Sequence, residues 1–575
     1  MIDWIAIFGT PTLSIPDNYE KKLSVNGLTV YEVGECRFPD DHLCVASDNH
    51  AIVIDGLILN QDELFDKYHT HDFHDLVVTM QREHPDDFFN DFRGPFTGLY
   101  YDSELQQATV FTNQTGDSSV FYYHDESTSI FSSNFTLLSD LLGYNCIKKT
   151  FNKKAAHWML TFGYLIDEAM FVEEIKRIQP GKAMKLKDGI WEEYRYHHFP
   201  SQTIKVGEEE AIEEIDRLFR QAVKRCFDKD LHYGYTQHLA DMSAGMDSRM
   251  VNVVALAMGY RPITNISYSQ TGSEEEVLSK AMSRKLGNEM IFEALDEHQF
   301  LYDAERLTRG HFGTYLYSGI TGGERLLSKI DFNRFGVEQT GQLGDIAIGT
   351  FVKTESTAVD PEAVRLSHLL SLAYNPNPEN IANQDLYSLY TRGFQGAMSS
   401  WFIRKHYTFA LSPFTDVDFM SYCYSLPIDM RRNHNLYWKW VGRYYPEALE
   451  VGTSRKHLPV TTLQKVCDLG ERAFHKAMKI GRKMLFKAGM VKSRTAPTSS
   501  MNPYDYWYDT DSKVREFIDG ALTRMDESDV EALKELGLWD DIMAMHSSSS
   551  MLDKLMAITV TTAYQTFIKH KHASN

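Results

Sequence analysis

Two rhythms of apolar and polar positions divide the chain. Up to about Pro200, short runs of β-branched and aromatic residues (51–56, 96–101, 109–112, 120–123 and 130–133) are parted by polar turns. They predict an antiparallel β-rich layer with a few helices, among them 73–83. Beyond Pro200-Ser201-Gln202 the period lengthens. Ile212, Ile215, Leu218, Phe219 and Val223 recur at helical spacing over 211–227, a strand is predicted over 263–268, and 274–286 repeats the helical pattern. Strands separated by helices imply a parallel, doubly wound sheet, which binds ligands beyond the carboxyl ends of its strands.

Two small-residue turns follow predicted strands of that sheet. In the first, Ser243-Ala244-Gly245-Met246-Asp247-Ser248 lies between the run 237–242 and the apolar stretch 251–258. A strand feeding such a turn into a helix aims backbone N–H groups and a helix N-terminus at one point, which suits a polyphosphate. Ser243 and Ser248 add hydroxyl donors, Gly245 permits close approach, and Asp247 is placed to hold magnesium. No Gly-Lys-Ser/Thr ending and no lysine occur in the turn, so it is not of the Walker type. Six residues alone are also compatible with an ordinary capped turn. The second turn, Thr340-Gly341-Gln342-Leu343-Gly344-Asp345, ends the predicted strand 335–340 and brings a second carboxylate, Asp345, opposite Asp247. Two aspartates from two strand ends can share one magnesium that bridges nucleotide phosphates.

Composition narrows the class. A chain of 575 residues exceeds what one core supports, and 43% hydrophobic with 24% charged residues is the balance of a soluble globular protein. The formal net charge of -20 excludes a nucleic-acid partner, because phosphate backbones need a basic face, but leaves small anions open. The cysteines at 36, 44, 146, 226, 423 and 467 show neither a disulfide framework nor metal-ligand spacing. The start lacks a basic region before an apolar run, and no run reaches spanning length, so the expected address is the cytoplasm. His69, His71 and His74 read as solvated loop residues rather than a metal shell.

The motifs carry a resemblance when taken in order. Met242 to Ser248, then Thr340 to Asp345, then Ser412-Pro413-Phe414-Thr415-Asp416 and Ser454-Arg455-Lys456 resemble the asparagine synthetase family in order and spacing. In the N-terminal half, Asp91 to Asp102, Thr112 to Gly116 and Phe121-Tyr122-Tyr123 are similar to segments of that family's glutaminase domain. The likeness extends to about Lys456. It implies an α/β protein with a class II glutaminase-like αββα sandwich over 1–200, a doubly wound parallel sheet of the PP-loop ATP pyrophosphatase type over 205–470, and a helical extension over 471–575. In such enzymes a carboxylate attacks the ATP α-phosphate, pyrophosphate leaves, and an amine attacks the acyl-adenylate to make an amide. The implied partners are ATP, Mg2+, a carboxylate-bearing substrate, and ammonia or an amine donor. Met242, Ser243, Ala244, Gly245, Asp247, Ser248, Thr340 and Gly341 would hold nucleotide, and Asp247 and Asp345 the metal. Lys456 would face the reacting anions, and Gln342 would stand in the substrate site.

Departures from the family pattern refine this expectation. Ile2 stands where glutamine-hydrolysing members have their cysteine, and an isoleucine offers no nucleophile. Asp55-Gly56 replaces an Asn-Gly that helps form the oxyanion hole, where a carboxylate would repel an oxyanion. Cys36 and Cys44 lie away from the chain start. The first domain is therefore expected to be silent towards glutamine, with ammonia from solution or a partner, or an amine within the substrate, as in the related beta-lactam synthetase and lasso-peptide cyclases. Gln342 and Ile346 replace acidic residues of asparagine-forming members, which argues against aspartate as substrate. The expected function is an ATP-dependent amide-forming ligase, with surface-glycan precursors or a peptide as candidate substrates. The alternative is a scaffold that partners another enzyme.

Several features stand outside that frame. Between Arg472 and Arg494 basic residues occur without an acidic one, with Phe474, Met478, Gly481, Leu485 and Ala488 on one helical face. Such a helix either lies on the inner face of an anionic membrane or packs on the synthetase core with its lysines in water. The aromatic cluster 502–508 predicts burial against a helix or a sugar-stacking platform. The amphipathic helix 551–568 predicts core or homodimer packing. Arg249, Arg404, Arg431 and Arg432 are candidates for an anionic substrate or for surface ion pairs.

Overall fold

A computed structural model of the chain describes residues 1–9, 13–47, 49–319, 321–350, 358–376, 381–452, 477–478, 480–498 and 500–569. Among these residues the N-terminal half forms β1 (Asp3–Phe8), β2 (Glu20–Val25), β3 (Leu28–Val33), β4 (Leu43–Ala46), β5 (His50–Gly56), β6 (Phe96–Asp102), β7 (Gln107–Thr112), β8 (Phe121–His124), β9 (Ser129–Ser132), β10 (Ile175–Arg177), β11 (Lys182–Lys187) and β12 (Ile190–Arg195). They make two antiparallel sheets, in the orders β10-β8-β9-β1-β3-β2 and β12-β11-β7-β6-β5-β4.

Strand period and burial explain the layering. Trp4, Ala6 and Phe8 of β1 meet Val53, Leu99 and Val110 of the other sheet in the core between the sheets. The alternate residues Ile5 and Ile7 point the other way, into the core beneath the helices Phe135–Tyr144 and Lys153–Phe162. Likewise Ile52 and Ile54 of β5 pack outward with Leu76 and Val77 of the helix Phe73–Glu83. Successive side chains of a strand point to opposite faces, so runs apolar at every position belong to sheets covered on both sides. The order through this half is helix, sheet, sheet, helix.

The second half carries β13 (Gln237–Asp241), β14 (Ile263–Ser269), β15 (Glu289–Ala294), β16 (Phe335–Gln339) and β17 (Ala410–Leu411), parallel throughout in the order β15-β14-β13-β16-β17. The long helix Glu208–His232 covers it, with Ile215, Phe219 and Val223 in one core with Ala240 and Val337. The chain winds outward from β13 through β14 to β15, then returns to lay β16 on the other side of β13. Between β13 and β16 the winding reverses, and connections leaving in opposite directions open a crevice at the strands' carboxyl ends.

The C-terminal helices are built into the molecule. Leu555, Met556 and Val560 of Met551–Tyr564 share a core with Trp158, Phe162 and Leu307, so this helix packs within its own chain. The aromatic cluster also turns inward. Trp507 is 1% exposed and donates to Gln270 Oε1 at 2.6 Å, while the Tyr504 hydroxyl donates to the Ser318 carbonyl at 2.6 Å, so the tryptophan of the cluster is spent on packing. Among the described residues no helix is long and apolar enough to cross a membrane.

Candidate functional site

The first glycine turn is self-bonded and leaves its helix end open. The Ser243 N–H donates to Ser248 Oγ at 2.9 Å, the two hydroxyls share a 2.8 Å hydrogen bond, and the Gly245 N–H donates to Ser243 Oγ at 3.1 Å. The helix that follows, Asp247–Ala257, has no side-chain cap, unlike Glu274–Leu286, whose Ser273 accepts from the Glu276 N–H. An uncapped first turn exposes N–H donors and the positive end of the helix dipole.

The second turn is pressed onto the first. A Cβ on Gly341 would lie 2.2 Å from Ser248 N, and one on Gly344 would lie 2.6 Å from Asp247 Cγ. Glycine here is required by turn-on-turn contact. Leu343 sits between them at φ 64, a left-handed conformation that costs a non-glycine residue about 1 kcal/mol, and its burial holds it there. Gly341→Ala should separate the turns and cost about 2 kcal/mol or more. Thermal unfolding checks this, and an unchanged midpoint would show that the contact is loose.

This contact joins the two aspartates. The Asp345 N–H donates to Asp247 Oδ2 at 3.1 Å, and the Tyr437 hydroxyl donates to Asp247 Oδ1 at 2.8 Å. Burial, then the charge of Asp247, holds the Tyr437 hydroxyl well above its ordinary range, so it remains a donor. Both aspartates line a cavity of about 580 Å³ together with Met242, Ser243, Gly245, Ser248, Thr340, Gly341 and Gln342. Of the nucleotide set expected from sequence, Ala244 alone is off the wall: its side chain is buried and its N–H donates to Glu275 Oε1 at 3.0 Å. Gln342 turns its amide to the Ala397 carbonyl at 3.2 Å, and its own carbonyl accepts from Ser412 Oγ at 2.8 Å. Lys456 lies outside the described residues.

Asp241 and Arg404 line the cavity, and Glu338, buried behind them, shares the guanidinium with Asp241. Arg404 bonds Glu338 and lies 3.6 Å from Asp241, while Asp241 Oδ1 and Glu338 Oε2 are buried without hydrogen-bond partners. Burial, then Glu338, raises the Asp241 carboxyl well above the usual carboxylate range against the pull of Arg404.

The arginine expectations need correction. Arg249 is 0% exposed and donates to the carbonyls of Ala448, Val451 and Gly452, tying that segment to the cradle helix. Arg431 is buried on Asp385 and the Gly349 carbonyl. With Arg404 these are internal groups rather than surface pairs, because a buried guanidinium must find acceptors for its donors. Arg432 alone pairs near the surface, with Asp429 at 2.8 Å. Sequence reasoning missed Tyr437, Glu275 and the Asp241–Glu338 pair. Only an acid in each of two adjacent buried strands could have flagged the last. Among the histidines, His74 clusters with Asp72 and Asp75, but Asp72 is engaged in capping its helix through the Asp75 N–H.

In the first half, the region of the expected glutaminase site is closed by a residue from the second. Ile2 is buried, and Lys405 reaches Asp55 Oδ2 at 2.9 Å and Asp3 Oδ1 at 3.4 Å. The Asp55 carboxylate thus has a partly buried counter-ion. Burial, then Glu32, pushes the Cys44 thiol up, away from the thiolate that a nucleophile needs, and Cys36 lies exposed.

Residues 39–197 match a glutamine amidotransferase domain family, so the N-terminal region carries a glutamine amidotransferase-like domain. Among solved structures the chain is similar to glutamine phosphoribosylpyrophosphate amidotransferase from B. subtilis complexed with ADP and GMP, at 9% identity over 52% of this chain and 86% of that one, with a TM-score of 0.24. A second is described as the allosteric regulatory enzyme of purine biosynthesis, at 9% identity over 50% and 74%, also with a TM-score of 0.24. No curated relative matches the chain.

Proposed function

We propose that the chain is an ATP-dependent amide-forming ligase. It would adenylate a substrate carboxylate with loss of pyrophosphate and pass the acyl group to ammonia or a substrate amine, in the manner of asparagine synthetases without a working glutaminase. One observation carries this reading: Asp247 and Asp345, from two strand ends flanking the reversal of a parallel sheet, meet through a 3.1 Å hydrogen bond on the wall of one cavity.

The residues fit the groups the reaction needs. Two hard carboxylate donors on rigid elements suit magnesium, which when bound neutralises the nucleotide phosphates as pyrophosphate departs. The open N-terminus of Asp247–Ala257 and the glycine turn orient those phosphates, as a PP-loop-type sheet would. Lys456 is the proposed positive group at the reacting carbon. Gln342 is neutral where asparagine formers carry a glutamate, which favours an acyl substrate other than aspartate, such as a peptide or glycan carboxylate.

The first domain is read as structural. A lysine held on Asp55 and an isoleucine at position 2 are the reverse of an oxyanion hole beside a thiolate. Ammonium should therefore support amide formation and glutamine should not, as followed by mass spectrometry of the product. Glutamine outperforming ammonium would refute the silent domain.

The ligase itself is tested by magnesium-dependent pyrophosphate release from ATP across a panel of uronic acids, aspartyl peptides and amino acids. A carboxylate that provokes release supports the reading. Its failure would be no release with any carboxylate or with cell extract.

A further inference from the structure

The helix at 477–478 and 480–487 presents its apolar side to solvent. Met478 is 60% exposed, Ile480 47%, Met484 66%, Leu485 43% and, just beyond, Met490 73%. At helical spacing these residues, with Ala477, Gly481 and Ala488, cover an arc of about 160°. Lys487 adjoins Ile480 at one border of the arc and Arg482 adjoins Met478 at the other. No acidic residue occurs between 477 and 498, in a chain of net charge -20.

The end of the helix extends the patch. Gly489 takes φ +71, the Met490 N–H bonds the Leu485 carbonyl and the Gly489 N–H bonds the Phe486 carbonyl, both at 2.9 Å. This is the Schellman arrangement, which brings the residue after the glycine back against the last turn, here Met490 towards Leu485. Ser493 is then buried, and Arg494 is clamped to Asp509 by its backbone N–H at 2.8 Å and its guanidinium at 2.9 Å. The helix is therefore held out from a fixed point. Packing on the synthetase core, the other sequence expectation, is not what its described residues do.

We propose that this helix docks the protein on an anionic lipid bilayer, with the apolar arc in the headgroup boundary and Lys483, Lys487 and Lys492 on lipid phosphates, while Arg482 stays on the Ser493 carbonyl, to which its Nε donates at 3.1 Å. Basic residues bordering a wide arc of flexible apolar side chains allow the lysine stems to lie along the boundary while their heads stay with charge. A second copy of the chain seated on the same face would set identical lysines against each other. This inference does not depend on the ligase reading.

Co-sedimentation of the full chain with vesicles of phosphatidylcholine, with and without phosphatidylglycerol, tests it. Binding is expected only to the anionic vesicles and should fall as salt rises. Lys483→Gln with Lys487→Gln should weaken it about 30-fold. Met484→Glu with Leu485→Glu should abolish it, and both pairs should leave the thermal midpoint unchanged because these side chains are exposed. Equal binding to both vesicle types, or none to either, overturns the proposal. So does a concentration-dependent dimer that the glutamate pair dissociates, which would assign the face to a second copy.

Discussion

Arg404→Met is expected to destabilise the parallel-sheet half by roughly 3–5 kcal/mol, because it strands the buried Glu338 and the partly buried Asp241 without their counter-ion. Glu338 is 1% exposed, Arg404 is 8% exposed, and each acid already has one oxygen lacking a hydrogen-bond partner. The thermal transition should fall by on the order of 10 °C. Arg404→Met combined with Asp241→Asn and Glu338→Met should recover most of the loss, since replacing a whole buried ionic group by well-packed neutral residues is often close to neutral. The pH dependence has a definite sign. Asp241 titrates above its unfolded value in the native chain, and more so once Arg404 is gone. Its protonated form is the one the fold favours, so the stability linked to it is complete below the ordinary carboxylate range and is lost as pH rises through the elevated value. The deficit of Arg404→Met should therefore shrink on acidification. A single variant as stable as the parent at neutral pH would sink the idea that Arg404 neutralises these carboxylates.

Asp247→Asn should cut carboxylate-stimulated pyrophosphate release by on the order of 100-fold or more while leaving the chain folded. In the native chain Asp247 accepts from the Asp345 N–H and the Tyr437 hydroxyl. An asparagine keeps one carbonyl acceptor, so one of these two charge-assisted contacts persists in weaker form and the stability change should stay at about 1–3 kcal/mol. What it cannot keep is the negative charge facing a divalent cation, and charge is what distinguishes a magnesium ligand from a cap. Loss of activity with the fold retained is the expected pair of results. Activity retained in Asp247→Asn would remove the metal role. A parallel loss of activity and fold would mean that Asp247 is structural.

Local chemistry made much of this legible. The helices 73–83 and 274–286 coincide with Phe73–Glu83 and Glu274–Leu286 because the apolar period and the terminal residues act over a few positions. The strands at 51–56, 109–112 and 263–268 fall within β5, β7 and β14 for the same reason. The two glycine turns were readable as chemistry, but their mutual contact was inferred from a pattern of order and spacing. Tyr437 was not legible, since an aromatic in 434–440 reads as core until its hydroxyl has a partner. Nor was Lys405, whose partners Asp3 and Asp55 lie some 350 or more positions earlier.

By itself the sequence determined the two rhythms, the small-residue turns, the lack of a cysteine nucleophile at position 2 and a basic apolar segment in an acidic chain. These are properties of neighbours along the backbone, and steric and hydrogen-bonding rules translate them directly. Tertiary structure alone decided that Arg249, Arg404 and Arg431 turn inward, that a lysine of one half pairs with two aspartates of the other, and that the C-terminal helices pack on the first half while the helix at 477–478 and 480–487 keeps its apolar side exposed. Burial and charge pairing depend on which distant side chains come together, and desolvation makes a charge seek a partner wherever the fold supplies one.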